Sequence, residues 1–290
     1  MILLSGAPID CNHQCIATLT LPLALFLLLA ETATGGIATV AYLRITGGLT
    51  SGFLKFIAVT YAIFGTLALI VAWAGPPSSY HALLGINGFA AGALVGIQAV
   101  LVVALIINTV VIWRGKDTAA TSWILVLSAS LLLIAAIAAA FWPLAGSLVN
   151  GAAVALVIIL SAAVLGAATT GMLLGHWYLV TPALTNRPLL RAIVLLLVGL
   201  VLQALIFPLA LGGLAHGTGS PARALALSPV LSILWALGAV VLPLLAAGLA
   251  FPTCRMRAFN PTTGLLYLAM IALLPGQLLG QVLFFVAASA

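Results

Sequence analysis

The sequence predicts an all-α integral membrane protein with eight transmembrane helices arranged as two four-helix halves. Three observations predict it. Only 4% of the 290 residues are charged and 65% are hydrophobic, whereas roughly a quarter of an ordinary soluble domain is charged. Eight apolar stretches reach the length of about 20 residues that a helix needs to cross a hydrocarbon core of about 30 Å. The few basic residues fall at the ends of alternate stretches. With nine Lys+Arg, three Asp+Glu and four His, the chain has too few polar groups to cover a surface in water, so most of its solvent is lipid. The mean hydropathy of +1.37 agrees.

Taken in order, the first stretch spans 17–43, holds Glu31 near its middle and ends at Arg44. The second, 53–74, starts beside Lys55 and closes on Gly75-Pro76-Pro77. The third and fourth, 84–113 and 122–142, flank a loop with Arg114, Lys116 and Asp117. The fifth, 150–178, ends in His176-Trp177-Tyr178, and the sixth, 189–213, follows Arg187 and contains Arg191. The seventh, 226–250, precedes Arg255 and Arg257, and the eighth, 264–288, carries Gln277 and Gln281. The even-numbered loops carry only Arg223. By the positive-inside rule the odd loops face the cytoplasm and both termini lie outside, which describes a multi-pass protein of the cytoplasmic membrane. Trp73 and Trp142 then sit at the outer interface, with Trp113, Trp123 and Trp177 at the inner one.

Other function classes fall away. A pI near 9.7 would suggest nucleic acid in a soluble chain, but basic residues scattered singly between apolar runs form no patch. Cys11, Cys15 and Cys254 are too few and too far apart for a disulfide framework. Met1-Ile2-Leu3-Leu4-Ser5 has no basic leader, and the following apolar run is too long for a cleaved signal, so the N-terminus reads as mature sequence. Phosphate-binding loops, dinucleotide fingerprints and hydrolase triads are absent from the loops.

Offsetting the fifth stretch onto the first aligns Ala33-Thr34-Gly35 with Thr169-Thr170-Gly171, Tyr42-Leu43 with Tyr178-Leu179, and Lys55 with Arg191. This predicts halves 1–146 and 147–290, related by an axis along the membrane normal. Small residues such as Gly35, Gly36, Gly88, Gly92, Gly96, Gly166 and Gly171 suit close helix approach.

An ionisable group at membrane depth costs several kcal/mol, which makes Glu31 the most informative residue. It reads either as a protonated acid bonded to a neighbouring helix or as a proton-handling group. Gln98, Gln203, Gln277 and Gln281 are buried amides that suit helix-to-helix bonding; Gln277 and Gln281, one turn apart, share a face that could line a polar pocket. His13, His81 and His216 fall on the outer side and His176 on the inner side. Paired axial imidazoles at one depth are therefore not expected, and neither is haem. Cys11, His13 and Cys15 have ligand types for zinc or copper but no fourth ligand, so no metal is expected.

Two segments resemble the eight-helix membrane anchor subunits of polysulfide and dimethyl sulfoxide reductases, the NrfD/DmsC-like family. One is Ala33-Thr34-Gly35-Gly36, a short basic loop, and a second helix ending in Gly75-Pro76-Pro77-Ser78-Ser79-Tyr80-His81. The other is Leu273-Leu274-Pro275-Gly276-Gln277-Leu278-Leu279-Gly280-Gln281 leading to Phe284-Phe285. The chain departs from the family where Gln277 and Gln281 replace an acid and an arginine. The resemblance implies a subunit that is not catalytic alone. It would exchange electrons between membrane quinone, as substrate, and an iron–sulfur subunit that serves a molybdopterin-type catalytic subunit. On that reading Glu31 relays the proton, Tyr80 and His81 act near the surface, and Gly35, Gly36, Gln98, Gln277 and Gln281 line the quinone pocket. Two other classes stay open: a small proton-coupled carrier built around Glu31, and a non-catalytic scaffold.

Overall fold

The computed structural model describes residues 13–115, 120–181, 185–214, 220, 225–226 and 228–289, with side chains from residue 16. Eight helices long and apolar enough to cross a membrane account for nearly all of them. They are α1 His13–Ile45, α2 Ser51–Ala74, α3 Gly88–Trp113, α4 Ala120–Phe141, α5 Leu148–Val180, α6 Arg187–Gly212, α7 Pro229–Arg255 and α8 Phe259–Ser289. Helices dominate because lipid offers no partner to a backbone N–H or C=O, and a helix satisfies both internally.

Polar residues set the starts. The Thr50 hydroxyl accepts from the Phe53 amide (3.3 Å), the Asn87 side chain from the Phe89 and Ala90 amides (3.1 Å each), and the Ser147 hydroxyl from the Asn150 amide (3.2 Å). Each meets amides that a helix start leaves open. The cap at Asn87 corrects one boundary: α3 begins at Gly88 rather than at 84, because Gly85, at φ 69°, ends a separate short turn over His81–Leu84. Hydropathy counted Leu84 as a membrane residue; the left-handed glycine after it takes it out. Inside α7 the residues Ala236–Val241 form wider π turns.

In α1 and α8, 61% of the most apolar window is buried, against 33% in α2 and α7, so the former lie at the centre of the bundle and the latter at its rim. In the first half α1 packs on α2, α2 on α3 and α3 on α4; in the second, α5 packs on α6, α6 on α7 and α7 on α8. Between the halves α1 lies against α5 and α8, and α4 against α5. Exchanging the two halves leaves this set of neighbours unchanged. The central contact is backbone on backbone. A Cβ on Gly35 would overlap the Ala162 carbonyl, and one on Gly166 would overlap the Gly35 backbone.

The loops separate into two faces. On one, the Arg191 guanidinium donates to the Thr46 carbonyl (2.7 Å), Arg44 lies 5.0 Å over the Trp123 ring, and the Lys55 ammonium lies 5.8 Å over Trp113. On the other, the Gly146 amide donates to Gly213 (3.2 Å) and the Asn87 amide to Ala140 (2.8 Å). Trp73, Trp113 and Trp142 are exposed at helix ends as interfacial residues should be, whereas Trp123 is buried beneath Arg44 and belongs to the packing instead. The basic face should be cytoplasmic. A reporter inserted at Lys116 is expected to act as a cytoplasmic fusion and one placed after Ala290 as an external one; the reverse pattern would invert the orientation.

Candidate functional site

Four helices bring polar side chains to one place at mid-membrane. Glu31 of α1 is 2% exposed, and the Gln281 amide nitrogen of α8 donates to its Oε2 at 2.9 Å. Ser161 of α5 lines the same cavity as the carboxyl. Ser161 in turn donates to Gln277 Oε1 (2.9 Å), and Gln277 of α8 forms a reciprocal amide pair with Gln203 of α6, at 2.7 and 2.8 Å. Gln203 Nε2 lies 3.2 Å from the Ser161 oxygen as well. Glu31 is the only acid among the described residues, and no Lys, Arg or His among them pairs with it.

These groups border a cavity of about 40 Å³ lined by Glu31, Ser161, Gln277 and Gln281 together with an apolar wall that includes Phe141 and Phe284. Phe141 and Phe284 lie toward the face opposite the basic loops, so the cavity extends from the carboxyl in that direction. One water occupies roughly 10–15 Å³ on this measure, so about three would fit. The amide oxygen of Gln281 is buried with no hydrogen-bond partner among the described residues. The cavity wall is mostly apolar, with Glu31, Ser161, Gln277 and Gln281 as its polar members.

The other residues singled out by sequence lie elsewhere. Gln98 donates to the Gly65 carbonyl at 2.8 Å and fastens α3 to α2. Gly35 packs on Ala162, and Gly36 lies beneath the Tyr61 ring, whose hydroxyl bonds Thr170 at 2.6 Å. Tyr80 is half-buried and His81 exposed in the loop after α2; burial pushes the Tyr80 phenol above its ordinary value, and neither residue lines the cavity. His176 sits on the basic face, 3.5 Å from the Tyr267 hydroxyl, at the opposite end of the bundle from His81. No group of three His, Cys, Asp or Glu able to hold a metal occurs among the described residues. Cys11, Lys116, Asp117, His216 and Arg223 lie outside the described residues, as do the side chains of His13 and Cys15.

Sequence reasoning missed Ser161 and the pairing of Gln203 with Gln277. A serine in an apolar helix gives no sequence signal, since its hydroxyl can bond its own backbone; only the facing helices reveal its role. The amide pair makes a definite prediction. Gln203→Leu leaves the Gln277 amide with one partner fewer and should destabilise by about 1–3 kcal/mol, whereas Gln203→Leu with Gln277→Leu should cost less than the sum of the two single changes. Thermal unfolding of the four proteins in detergent checks this, and additive effects would mean that the pair is not coupled.

Comparison of the chain with family models, with curated proteins and with solved structures finds no match.

Proposed function

We propose that this chain is a quinone-interacting membrane subunit of a respiratory oxidoreductase. In this reading Glu31 carries the proton that accompanies electron transfer to or from a docked iron–sulfur subunit, which serves a molybdopterin-type catalytic subunit. The observation that carries it is a carboxyl at mid-membrane, the only acid and without a paired cation among the described residues, bonded to Gln281 and bordering a water-sized cavity. Reduction or oxidation of a quinone moves two protons with two electrons, and a positioned carboxyl supplies the exchange. The resemblance of the first and last helices to the NrfD/DmsC-like anchors supports the assignment.

A quinone ring does not fit a cavity of about 40 Å³. A crevice of about 360 Å³ opens to lipid between α1, α4 and α5, lined by Thr34, Gly35, Ala38, Ser130 and Ala162 among others. That volume lies in the range of small-molecule pockets, and Gly35 stands one helical turn from Glu31. In this reading the ring lies in the crevice and water in the cavity completes the route of the proton.

Purification from native membranes, with extraction of bound quinone, tests it. Quinone above the lipid background and a co-purifying iron–sulfur subunit are expected; absence of both would overturn the reading. Ala38→Leu fills the exposed crevice without touching the packed core, and should weaken quinone retention about tenfold, the scale of a lost apolar contact of 1–3 kcal/mol, with an unchanged melting temperature.

A small proton-coupled carrier is the second reading, favoured by the water-sized cavity and by the π turns of α7, which pack Gly238 against Gly276 next to Gln277. Irregular helices beside a polar midplane site are a feature of carriers. Proton uptake by liposomes holding the chain alone, without an electron donor, would favour it.

A further inference from the structure

We propose that the groove between α2 and α3 is a binding site for an anionic phospholipid, with an acyl chain in the groove and the phosphate at Lys55 and Arg114. The groove has a volume of about 300 Å³ and opens to lipid. Val59, Ile63 and Leu67, one turn apart along α2, form one wall, and Ile106 and Val110 of α3 form the other. From Val59 to Leu67 it runs about 12 Å along the helix, at 1.5 Å per residue. Two threonines line it, but both commit their hydroxyl protons to the backbone. Thr66 donates to the Ala62 carbonyl (2.7 Å), and Thr109 to the Leu105 and Ala58 carbonyls (2.8 and 3.2 Å). The walls thus suit a hydrocarbon chain and not a hydrated ligand.

The mouth of the groove on the basic face sets it apart from ordinary lipid-facing surface. Lys55 precedes Val59 by one turn on the same face of α2, and Arg114 follows Val110 by one turn at the end of α3. The Lys55 ammonium lies 5.8 Å over the Trp113 ring, which holds it beside α3 and leaves its N–H donors to an anion. Arg114 caps α3 and is exposed, as is Trp113, an aromatic residue of the kind that lies at headgroup level. Helix α2 starts here too, with no acid in its first turn, so the positive end of its dipole adds to the charge. No carboxylate among the described residues offsets it, because Glu31, the only acid among them, is buried at mid-membrane.

These charges select the lipid. A phosphodiester accepts hydrogen bonds from Lys55 and Arg114 together, whereas a zwitterionic headgroup also presents an ammonium that both repel. The crevice of about 360 Å³ beside Glu31 offers the contrast: Ala38, its lining residue nearest the basic face on α1, stops more than a turn short of Arg44. That crevice has an apolar wall without a basic mouth, and the groove between α2 and α3 has both.

Native mass spectrometry of the delipidated full-length chain in detergent, with phosphatidylglycerol and phosphatidylcholine at equal concentration, tests this. The wild-type chain is expected to retain phosphatidylglycerol at least tenfold better, since each Lys or Arg near an anionic headgroup is worth about fivefold in affinity. Lys55→Gln with Arg114→Gln should remove the preference. Arg187→Gln with Arg255→Gln deletes two exposed charges elsewhere on the same face and should keep it. Ala62→Leu fills the groove and should lower retention of phosphatidylglycerol at least fivefold with an unchanged melting temperature. Equal retention of the two lipids by the wild type would overturn the proposal. So would a loss of preference in Arg187→Gln with Arg255→Gln as full as in the Lys55 and Arg114 pair, since the attraction would then belong to the whole face. Glycerol phosphate that competes as well as the intact lipid would overturn it too, because the groove would then contribute nothing. A second measurement needs no variant: phosphatidylglycerol with a photoreactive acyl chain should label the wild-type chain on α2 and α3, and labelling spread evenly over the eight helices would overturn the site.

Discussion

Glu31→Gln is expected to leave expression and thermal stability near wild type and to cut quinone-linked electron transfer at least tenfold. The substitution keeps the length of the side chain and retains one oxygen to accept from Gln281, whose nitrogen lies 2.9 Å from Glu31 Oε2. The new amide nitrogen faces a cavity large enough for water, so its desolvation is partly relieved. What the variant loses is ionisation. If a proton passes through Glu31, removing that capacity should lower the rate by the 10²–10⁴-fold typical of a positioned acid or base, or by a smaller factor where water supplies a parallel route. Oxidation of a quinol analogue by membranes that hold the assembled complex, with variant abundance matched, is the measurement. Unchanged turnover would make Glu31 a structural hydrogen-bonding residue, and a scaffold role would then fit the chain best.

The eight spans were legible in the sequence because lipid imposes a simple rule: each crossing must be long, apolar and helical. Errors fell where hydropathy has no information. Leu84 is apolar, yet the left-handed Gly85 and the Asn87 cap place it in a loop turn. Glu31 and the pair Gln277 and Gln281 stood out because polar groups at depth are costly, and the structure sets all three around one cavity. Their partners were not legible. Spacing along a helix tells which residues share a face, but not which helix lies opposite, so Ser161 and the bonds between Gln203 and Gln277 emerged only from packing. Gln98, chemically identical to the others, bonds a backbone carbonyl of α2 and stands apart from the site. Trp123 shows the same limit: its position near a helix end suggests an interfacial residue, while the chain folds it under Arg44.

The other large effect concerns the axis of the bundle. Gly166→Ala and Gly35→Ala are each expected to disrupt assembly severely, although both add a single methyl group. Cβ on Gly166 would overlap the Gly35 backbone, and Cβ on Gly35 would overlap the Ala162 carbonyl; neither neighbour is a side chain that can turn aside. Relief requires α1 and α5 to separate, and this would shift Glu31 of α1 relative to Ser161 of α5 as well as open voids along the interface. In lipid, close packing of small residues is itself what holds helices together, since no hydrophobic force draws them from one apolar medium into another. Overpacking of a tight interior typically costs about 1–3 kcal/mol, and a clash of backbone with backbone falls at the upper end of that range. For a chain of this size, such a loss corresponds to a fall of roughly 6–12 °C in melting temperature. Gly92→Ala supplies the control. It lies on α3 with nothing within 4 Å of an added Cβ, and glycine in a helix interior is worse than alanine by roughly 0.5–1 kcal/mol, so that variant should be neutral or slightly stabilising. Thermal unfolding of the three variants in one detergent, read beside their monodispersity, is the check. Equal behaviour of Gly166→Ala and Gly92→Ala would mean that α1 and α5 do not meet backbone to backbone, and the position of Glu31 against Ser161 would lose its structural basis.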